Sequence, residues 1–211
     1  MDVVKDTQPD FSGLEWVRDL WGTEPRWTAE LDEEAIKQTA QCRLKLPGEC
    51  TIKFLAQGAF NKLYIVKSPE KEIVARVTLP VDPGWKTLSE VATLQWVRDN
   101  TTLPVPEVLA YQANRSSPIG FEWILLTKMP GKPWADVWRE ISFSAKEEIT
   151  RRLALFCAET FQKQLRGIGN LFLDPTLLES TSPAVETIGR SESFAAKACF
   201  HKSNGWGEPK R

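Results

Sequence analysis

Three short runs of alternating apolar residues, all between residues 51 and 80, constrain the fold of this chain more than any other feature. The runs are TIKFLAQ (51–57), KLYIVKS (62–68) and EIVARVTLP (72–80). Residues 58–61, which include Gly58, separate the first two runs, and a polar turn at 69–71 separates the last two. Apolar alternation on both sides of a glycine turn is typical of a β-hairpin. The sequence therefore predicts an antiparallel sheet with one buried face.

A helix and two further strands continue this pattern. Residues 86–100 place Leu88 and Val91 at helical spacing, which predicts a helix packed on the sheet. PVPEVLAY (104–111) and FEWILLTKM (121–129) are extended apolar runs and predict two more strands. The order strand, strand, strand, helix, strand, strand indicates an α+β fold with a five-stranded antiparallel sheet.

Two more helical segments flank this unit. The segment ELDEEAIKQTAQCRLKL (30–46) begins acidic and ends basic, so its charges suit the helix dipole, and a Pro-Gly pair follows it. A longer helix is predicted from Ser144 to Leu165, because Ser144 and Glu147 have the spacing of a capping box.

These segments divide the chain into four parts. We expect a tryptophan-rich helical extension over 1–48, the sheet with its helix over 49–131, and a linker with the first helix of a second lobe over 132–172. Residues 173–211 are rich in Ser, Thr, Pro, Gly and Lys without a sustained period, so we expect a loosely ordered tail there.

Charge and hydropathy give no sign of nucleic-acid or membrane binding. The chain has 27 Lys and Arg residues against 28 Asp and Glu residues, so no strong positive field would attract nucleic acid or an acidic membrane. The N-terminus MDVVKDTQPD does not resemble a secretory or transit signal, and no run reaches the roughly 20 apolar residues of a membrane span. A cytoplasmic protein is the default expectation.

The cysteines do not indicate a metal site. Cys42, Cys50, Cys157 and Cys199 are widely spaced, and His201 is the single histidine. Because a structural metal site needs clustered ligands, we expect free thiols and no metal.

Three residues in the predicted sheet and helix have the chemistry of a kinase N-lobe. Gly58 lies in a turn where backbone N–H groups could approach a phosphate, since a side chain there would obstruct close contact. Arg76 on the third strand could neutralise phosphate charge, and Glu90 on the helix could hold that cation in place. Taken alone, Gly58 is more often an ordinary hairpin glycine. Glu90 alone is usually a solvated helix charge, and Arg76 alone a charge at a strand edge.

The series of segments resembles the N-terminal half of fungal aminoglycoside-phosphotransferase-type proteins, which have a protein-kinase-like fold. The likeness runs from about Trp16 to Phe172. Its segments are FLAQGAFNKLYIV, VARVTLPV, LSEVATLQWV, LPVPEVLAY, IGFEWILLTKMPG and IGNLF. The resemblance implies that residues 49–131 are a kinase-like N-lobe, in an ATP-dependent small-molecule phosphotransferase.

The resemblance also implies roles on the phosphate side of an ATP site. Gly58, Phe60 and Asn61 would form the loop that covers the phosphates. Arg76 would occupy the position of the usual kinase lysine, although its planar fork is not a simple replacement for an ammonium. Glu90 would be the carboxylate paired with Arg76.

On the adenine side, Leu126 would line the back of the pocket, and Thr127 to Met129 would form the hinge. Trp134 and Trp138 would begin the crossing to the larger lobe.

The chain departs from the family pattern where catalysis would occur. No His-Gly-Asp sequence follows the long helix, and none of Asp99, Asp136 and Asp174 lies in such a motif. Neither a catalytic base nor a set of Mg²⁺ ligands can be named. We therefore expect a truncated phosphotransferase that binds ATP weakly or not at all and is inactive alone.

A second hypothesis comes from another functional class. The N-lobe fold could serve as a non-catalytic interaction module, in which the face normally covered by the larger lobe binds a protein partner or a second copy of the chain.

Overall fold

The computed structural model describes residues 11–18, 20, 22–163 and 169–173, and the backbone of 186–187 and 196–199. In chain order its elements are β1 (Leu14–Arg18), β2 (Thr23–Trp27), α1 (Glu33–Leu44), β3 (Thr51–Gln57), β4 (Asn61–Lys67), β5 (Glu72–Thr78), α2 (Trp85–Asn100), β6 (Val108–Gln112), β7 (Glu122–Thr127), α3 (Trp134–Val137), α4 (Phe143–Gln162), β8 (Asn170–Leu173), β9 (Glu186–Thr187) and β10 (Ala196–Cys199).

The main sheet confirms the predicted α+β architecture. Its strand order is β3-β4-β5-β7-β6-β9, and every neighbouring pair is antiparallel. The five predicted strands are all present, and β9 adds two residues beyond β6. Strand β5 lies between β4 and β7, so the direction of each of its side chains is set by bonds on both edges.

The prediction of one buried face is wrong, because helices cover both faces of the sheet. On one face, Ile36 and Ala40 of α1 pack with Ile73, Ala75 and Val77 of β5. On the other face, α2 packs on Val74 and on residues of β6 and β7. Alternate residues of β5 therefore enter two separate cores, one on each side of the sheet.

Helix α1 is shorter than predicted and is capped at both ends. The carboxylate of Asp32 accepts hydrogen bonds from the backbone N–H groups of Glu34 and Ala35, at 2.9 and 3.2 Å. Lys45 adopts the left-handed conformation, and its N–H donates to the carbonyl of Cys42. Both arrangements satisfy backbone groups that a helix end leaves without partners.

Helix α2 packs against both the sheet and β8. Val91 and Ala92 are fully buried against the sheet, and Leu173 of β8 joins the same core. Phe172 contacts Trp85 edge to face, with ring centroids 5.3 Å apart. Contacts with the sheet and with β8 therefore hold α2 in place.

The sequence did not indicate the hairpin formed by β1 and β2. Its last residue, Trp27, packs against Phe121 with ring centroids 5.3 Å apart, and the Lys62 ammonium lies 5.0 Å from the Trp27 ring. Trp27 therefore packs the hairpin against the core under α1.

Helix α4 confirms the long predicted helix, but its predicted N-cap is wrong. Ser142 is the N-cap: it has an extended backbone, and its hydroxyl accepts a hydrogen bond from the Ala145 N–H at 3.2 Å. Ser144 is already inside the helix. No residue of α4 is buried, and Phe143 and Phe161 are largely exposed to solvent.

Several predictions lie partly or wholly outside the described residues. Most of the predicted loose tail over 173–211, including His201, is among them; the described parts of that segment pair as β9 with β6 and β10 with β8. Cys42, Cys50 and Cys157 are free thiols. Within the described ranges, no helix is long and apolar enough to cross a membrane.

Replacement of Ile36 by alanine should test whether α1 belongs to the core. Ile36 is fully buried, so Ile36→Ala should lower the free energy of unfolding by about 2–5 kcal/mol, measured by urea denaturation. Leu155→Ala on the exposed side of α4 is the matched control and should change it by less than about 0.5 kcal/mol. Equal effects of the two substitutions would contradict this packing.

Candidate functional site

Strand register places three polar residues in one row across the sheet. Asn61 of β4 is opposite Thr78 of β5, and Thr78 is opposite Glu122 of β7. The row two residues further along β5 contains Arg76, paired with Leu63 on one side and Ile124 on the other. Directly opposed residues share a face, so both rows lie on the face that α2 covers.

The predicted pair of Arg76 and Glu90 is present in the structure. The Arg76 guanidinium donates through Nη2 to Glu90 Oε2, joining β5 to α2. The side chains are 17% and 30% exposed, so solvent screens the pair only in part. A charge-assisted hydrogen bond in this setting orients the arginine strongly.

Lys86 is a second cation at the same carboxylate. Its ammonium lies 3.3 Å from Glu90 Oε1 and 3.4 Å from Asn61 Oδ1. Asn61 Oδ1 also accepts from the Thr78 hydroxyl at 2.9 Å. We call these five residues, Asn61, Arg76, Thr78, Lys86 and Glu90, the Glu90 cluster.

The pKa of Lys86 is lowered from its usual value. Burial of the ammonium is the largest cause, and the neighbouring Arg76 charge lowers the pKa further, while Glu90 acts in the opposite direction. Burial and a like charge both disfavour the protonated form.

Glu122 fixes the start of α2 next to the cluster. Its buried carboxylate accepts a hydrogen bond from the Gly84 N–H at 2.6 Å. Gly84 has φ of 78°, which favours glycine, and it immediately precedes α2. The other oxygen of Glu122, Oε2, is buried and has no partner among the described residues; the same is true of Arg76 Nε.

Gly58 lies where the sequence predicted, in the turn between β3 and β4. Its N–H donates to the Asn61 carbonyl at 2.9 Å, and the Phe60 carbonyl accepts from the Leu79 N–H at 2.8 Å. A Cβ at Gly58 would meet no atom within 4 Å. The packing of the protein therefore does not require glycine at this position. Phe60 is partly exposed on the same turn.

The predicted hinge begins at Thr127, the last residue of β7, and continues to Met129. Leu126 is buried beneath α2 and so belongs to the core behind the site. The Thr127 N–H donates to the Glu107 carbonyl at 3.0 Å, and the Glu107 N–H donates to the Thr127 hydroxyl at 2.8 Å. Met129 is exposed. Because the Thr127 N–H is already bonded, the backbone groups of Lys128 and Met129 are the hinge groups that could pair with a ligand.

An ion pair ties the hinge to the central strand. Lys128 pairs with Glu72 of β5, and Lys67 is 3.2 Å from the same carboxylate. Hydrogen bonds from Lys128 and then Lys67 are the largest causes that lower the pKa of Glu72.

The structure assigns two residues to the site that sequence reasoning missed. Lys86 stands four residues before Glu90 on α2, a spacing that places both on one helix face and could have been noticed. Glu122 is an acidic residue inside the apolar run 121–129, which indicates a buried carboxylate with a specific partner. Within the described part of the chain, no group of three or more His, Cys, Asp or Glu residues could hold a metal ion.

Comparison with known proteins places these residues in a family context. The model of the phosphotransferase enzyme family, APH, matches residues 51–179, which include all of the predicted site. Two subtelomeric hrmA-associated cluster proteins, from two strains of Aspergillus fumigatus, are 31% identical over 121 residues, which are 56% of this chain and 24% of each relative.

More distant matches are also found. Altered inheritance of mitochondria protein 9, mitochondrial, from Meyerozyma guilliermondii is 24% identical over 131 residues, covering 59% of this chain and 22% of that protein. A crystal structure of a candidate aminoglycoside phosphotransferase from Ralstonia eutropha is 18% identical to this chain, with a TM-score of 0.39. The match covers 49% of this chain and 29% of that protein chain. The alignments cover about a quarter of the length of these curated relatives.

Glu90→Gln should test whether the cluster depends on one carboxylate. Glutamine keeps the shape of the side chain but leaves Arg76 and Lys86 without a shared counter-charge, so the free energy of unfolding at pH 7 should fall by about 1–3 kcal/mol. Glu107→Gln is the control: its side chain is equally exposed and pairs with the single cation Arg98, and its loss should cost less than about 1 kcal/mol. A Glu90→Gln protein as stable as wild type in urea denaturation would show that the pair contributes nothing to folding.

Proposed function

Because this chain belongs to the APH phosphotransferase enzyme family, we propose that its sheet and α2 form the nucleotide-binding lobe of an ATP-dependent small-molecule phosphotransferase. The ion pair between Arg76 and Glu90 is the observation that carries this proposal. Glu90 holds the partly exposed Arg76 cation on the face of the sheet where, according to the family resemblance, phosphates would bind.

The Glu90 cluster has the chemistry of a phosphate site. The Arg76 guanidinium is held from one side by Glu90, and its buried Nε–H has no acceptor among the described residues. That N–H is itself buried, so a phosphate would approach the exposed part of the Arg76 side chain, which is 17% exposed, and would form a charge-assisted hydrogen bond with the guanidinium there. Asn61 links the cluster to the turn at Gly58, so the turn and the cation lie at the same end of the sheet.

An apolar surface continues from the cluster toward the hinge. Ile65, Val74 and Leu126 form the next row on the same face, two residues from Arg76 along β5. Two strand residues span about 7 Å. Ile65 and Val74 are only partly buried, so an adenine ring could stack on them while its phosphates reach Arg76. The backbone of Lys128 and Met129 then supplies the polar edge for the base.

The proposal assigns binding, and not phosphoryl transfer, to residues 1–211. These residues contain no His-Gly-Asp sequence from which a catalytic base could be named. The described residues also offer no carboxylate set that fits Mg²⁺, so no step is assigned to a metal. Because phosphoryl transfer depends on positioning and metal electrostatics, this lobe by itself should bind ATP without turning it over. The cytoplasmic location remains a prediction.

Calorimetric titration with ATP tests the proposal directly. Arg76→Met removes the cation and should weaken ATP binding by about tenfold or more, since one charge-assisted hydrogen bond contributes about 1.5–3 kcal/mol. Lys37→Met is the control, because Lys37 pairs with Glu34 on α1, across the sheet from the site. If the wild-type chain gives no heat of binding at millimolar ATP, the proposal is wrong.

Gly58→Ala separates ligand contact from folding. No protein atom lies within 4 Å of the added methyl group, so the free energy of unfolding should change by no more than about 1 kcal/mol. If phosphates approach this turn closely, ATP affinity should nevertheless fall about tenfold, which corresponds to ~1.4 kcal/mol. Unchanged ATP affinity in Gly58→Ala would exclude close contact between the turn and the ligand.

A further inference from the structure

Lys86 occupies a position that folding alone disfavours. It is the second residue of α2, where the helix dipole presents partial positive charge, and the first turn of this helix contains no acidic residue. Its side chain is only 18% exposed. A cation near a helix N-terminus repels the dipole, and its burial adds a cost of desolvation.

The surroundings of Lys86 compensate this cost only in part. Arg76 and Lys86 approach the two oxygens of one carboxylate, Glu90, so two cations share a single close counter-charge. The other nearby carboxylate, Glu122, directs its bonded oxygen at the Gly84 N–H. Glu90 is therefore the carboxylate that pairs directly with both cations, whereas Glu122 acts on Lys86 through its charge alone.

The hydrogen bonds of Lys86 are also long. They measure 3.3 Å to Glu90 and 3.4 Å to Asn61, whereas strong ammonium–carboxylate bonds are about 2.7–2.9 Å. An ammonium has three donors. The hydrogen bonds that the Lys86 ammonium makes within the described residues are therefore weak.

We propose that Lys86 is a second phosphate-binding cation, which acts together with Arg76 to bind the polyphosphate chain of a nucleotide and so favours ATP over AMP. This inference rests on the proposed function. Successive phosphates of a nucleotide carry neighbouring negative charges, and Arg76 and Lys86 are neighbouring cations on either side of Glu90. A single phosphate needs one of these cations, whereas a triphosphate engages both.

Nucleotide selectivity of Lys86→Met tests the inference in the 211-residue chain. ATP, ADP and AMP are titrated by calorimetry in the presence of EDTA, which excludes metal effects. ATP affinity should fall about 10- to 100-fold, the equivalent of one charge-assisted hydrogen bond, while AMP affinity falls less than about threefold. Lys86→Arg should retain most of the preference for ATP, and Lys37→Met should bind like wild type.

The free energy of unfolding of the same variants distinguishes ligand binding from a purely structural role, because the two roles predict changes in opposite directions. Because burial and Arg76 disfavour the charged form of Lys86, Lys86→Met should leave the free energy of unfolding at pH 7 unchanged or raise it. A structural lysine would instead lower stability on removal. Lys86→Gln provides a second neutral variant if the methionine protein does not fold.

The outcomes separate this inference from the proposed function. If wild type binds ATP, Arg76→Met weakens it and Lys86→Met keeps the wild-type ratio of ATP to AMP affinity, the role of Lys86 is wrong and the nucleotide site stands. If wild type binds none of the three nucleotides, both are wrong. Inorganic tripolyphosphate, which lacks adenine, should compete with ATP on wild type and about tenfold more weakly on Lys86→Met.

Discussion

The hydrogen bonds of β5 to β4 on one edge and to β7 on the other determine where the strand residues of the site lie. Because β5 is bonded on both edges, its register cannot slip by one residue without moving Ile73, Ala75 and Val77 out of the core under α1. That same register places Arg76 and Thr78 on the opposite face, beneath α2. The hydrophobic packing of one face therefore positions the polar chemistry of the other.

The position of α2 is the second constraint on the site. This helix supplies Lys86 and Glu90, so any shift of α2 relative to the sheet would separate the carboxylate from Arg76. Three contacts oppose such a shift: burial of Val91 against the sheet, the packing of β8 against α2, and the bond between Glu122 and the Gly84 N–H. Fixed positioning of this kind is what recognition of a charged ligand requires.

Sequence patterns predicted the sheet well and the helix termini less well. The bounds of β3 were predicted without error because TIKFLAQ alternates and is followed at once by a glycine turn. The N-cap of α4 was misplaced by two residues, because Ser142 and Ser144 offer the same hydroxyl and only backbone conformation distinguishes them. The hairpin of β1 and β2 was missed because its sequence lacks a regular apolar alternation. Among its described residues, Trp27 is the one that packs against the core.

The α+β class and the order of the elements over residues 49–131 could be inferred from the sequence alone, because local periodicity encodes which face of each element is apolar. The pairing of Arg76 with Glu90 was expected from the kinase-like order of these elements and the family resemblance, not from periodicity. The second covered face, the place of Lys86 beside Arg76, and the role of Glu122 at the start of α2 came only from the tertiary structure. Each of these depends on distances between residues far apart in the chain, such as Gly84 and Glu122, and no local pattern carries that information. Periodicity reflects residues that are close in sequence, whereas a charge cluster depends on how distant segments pack in three dimensions.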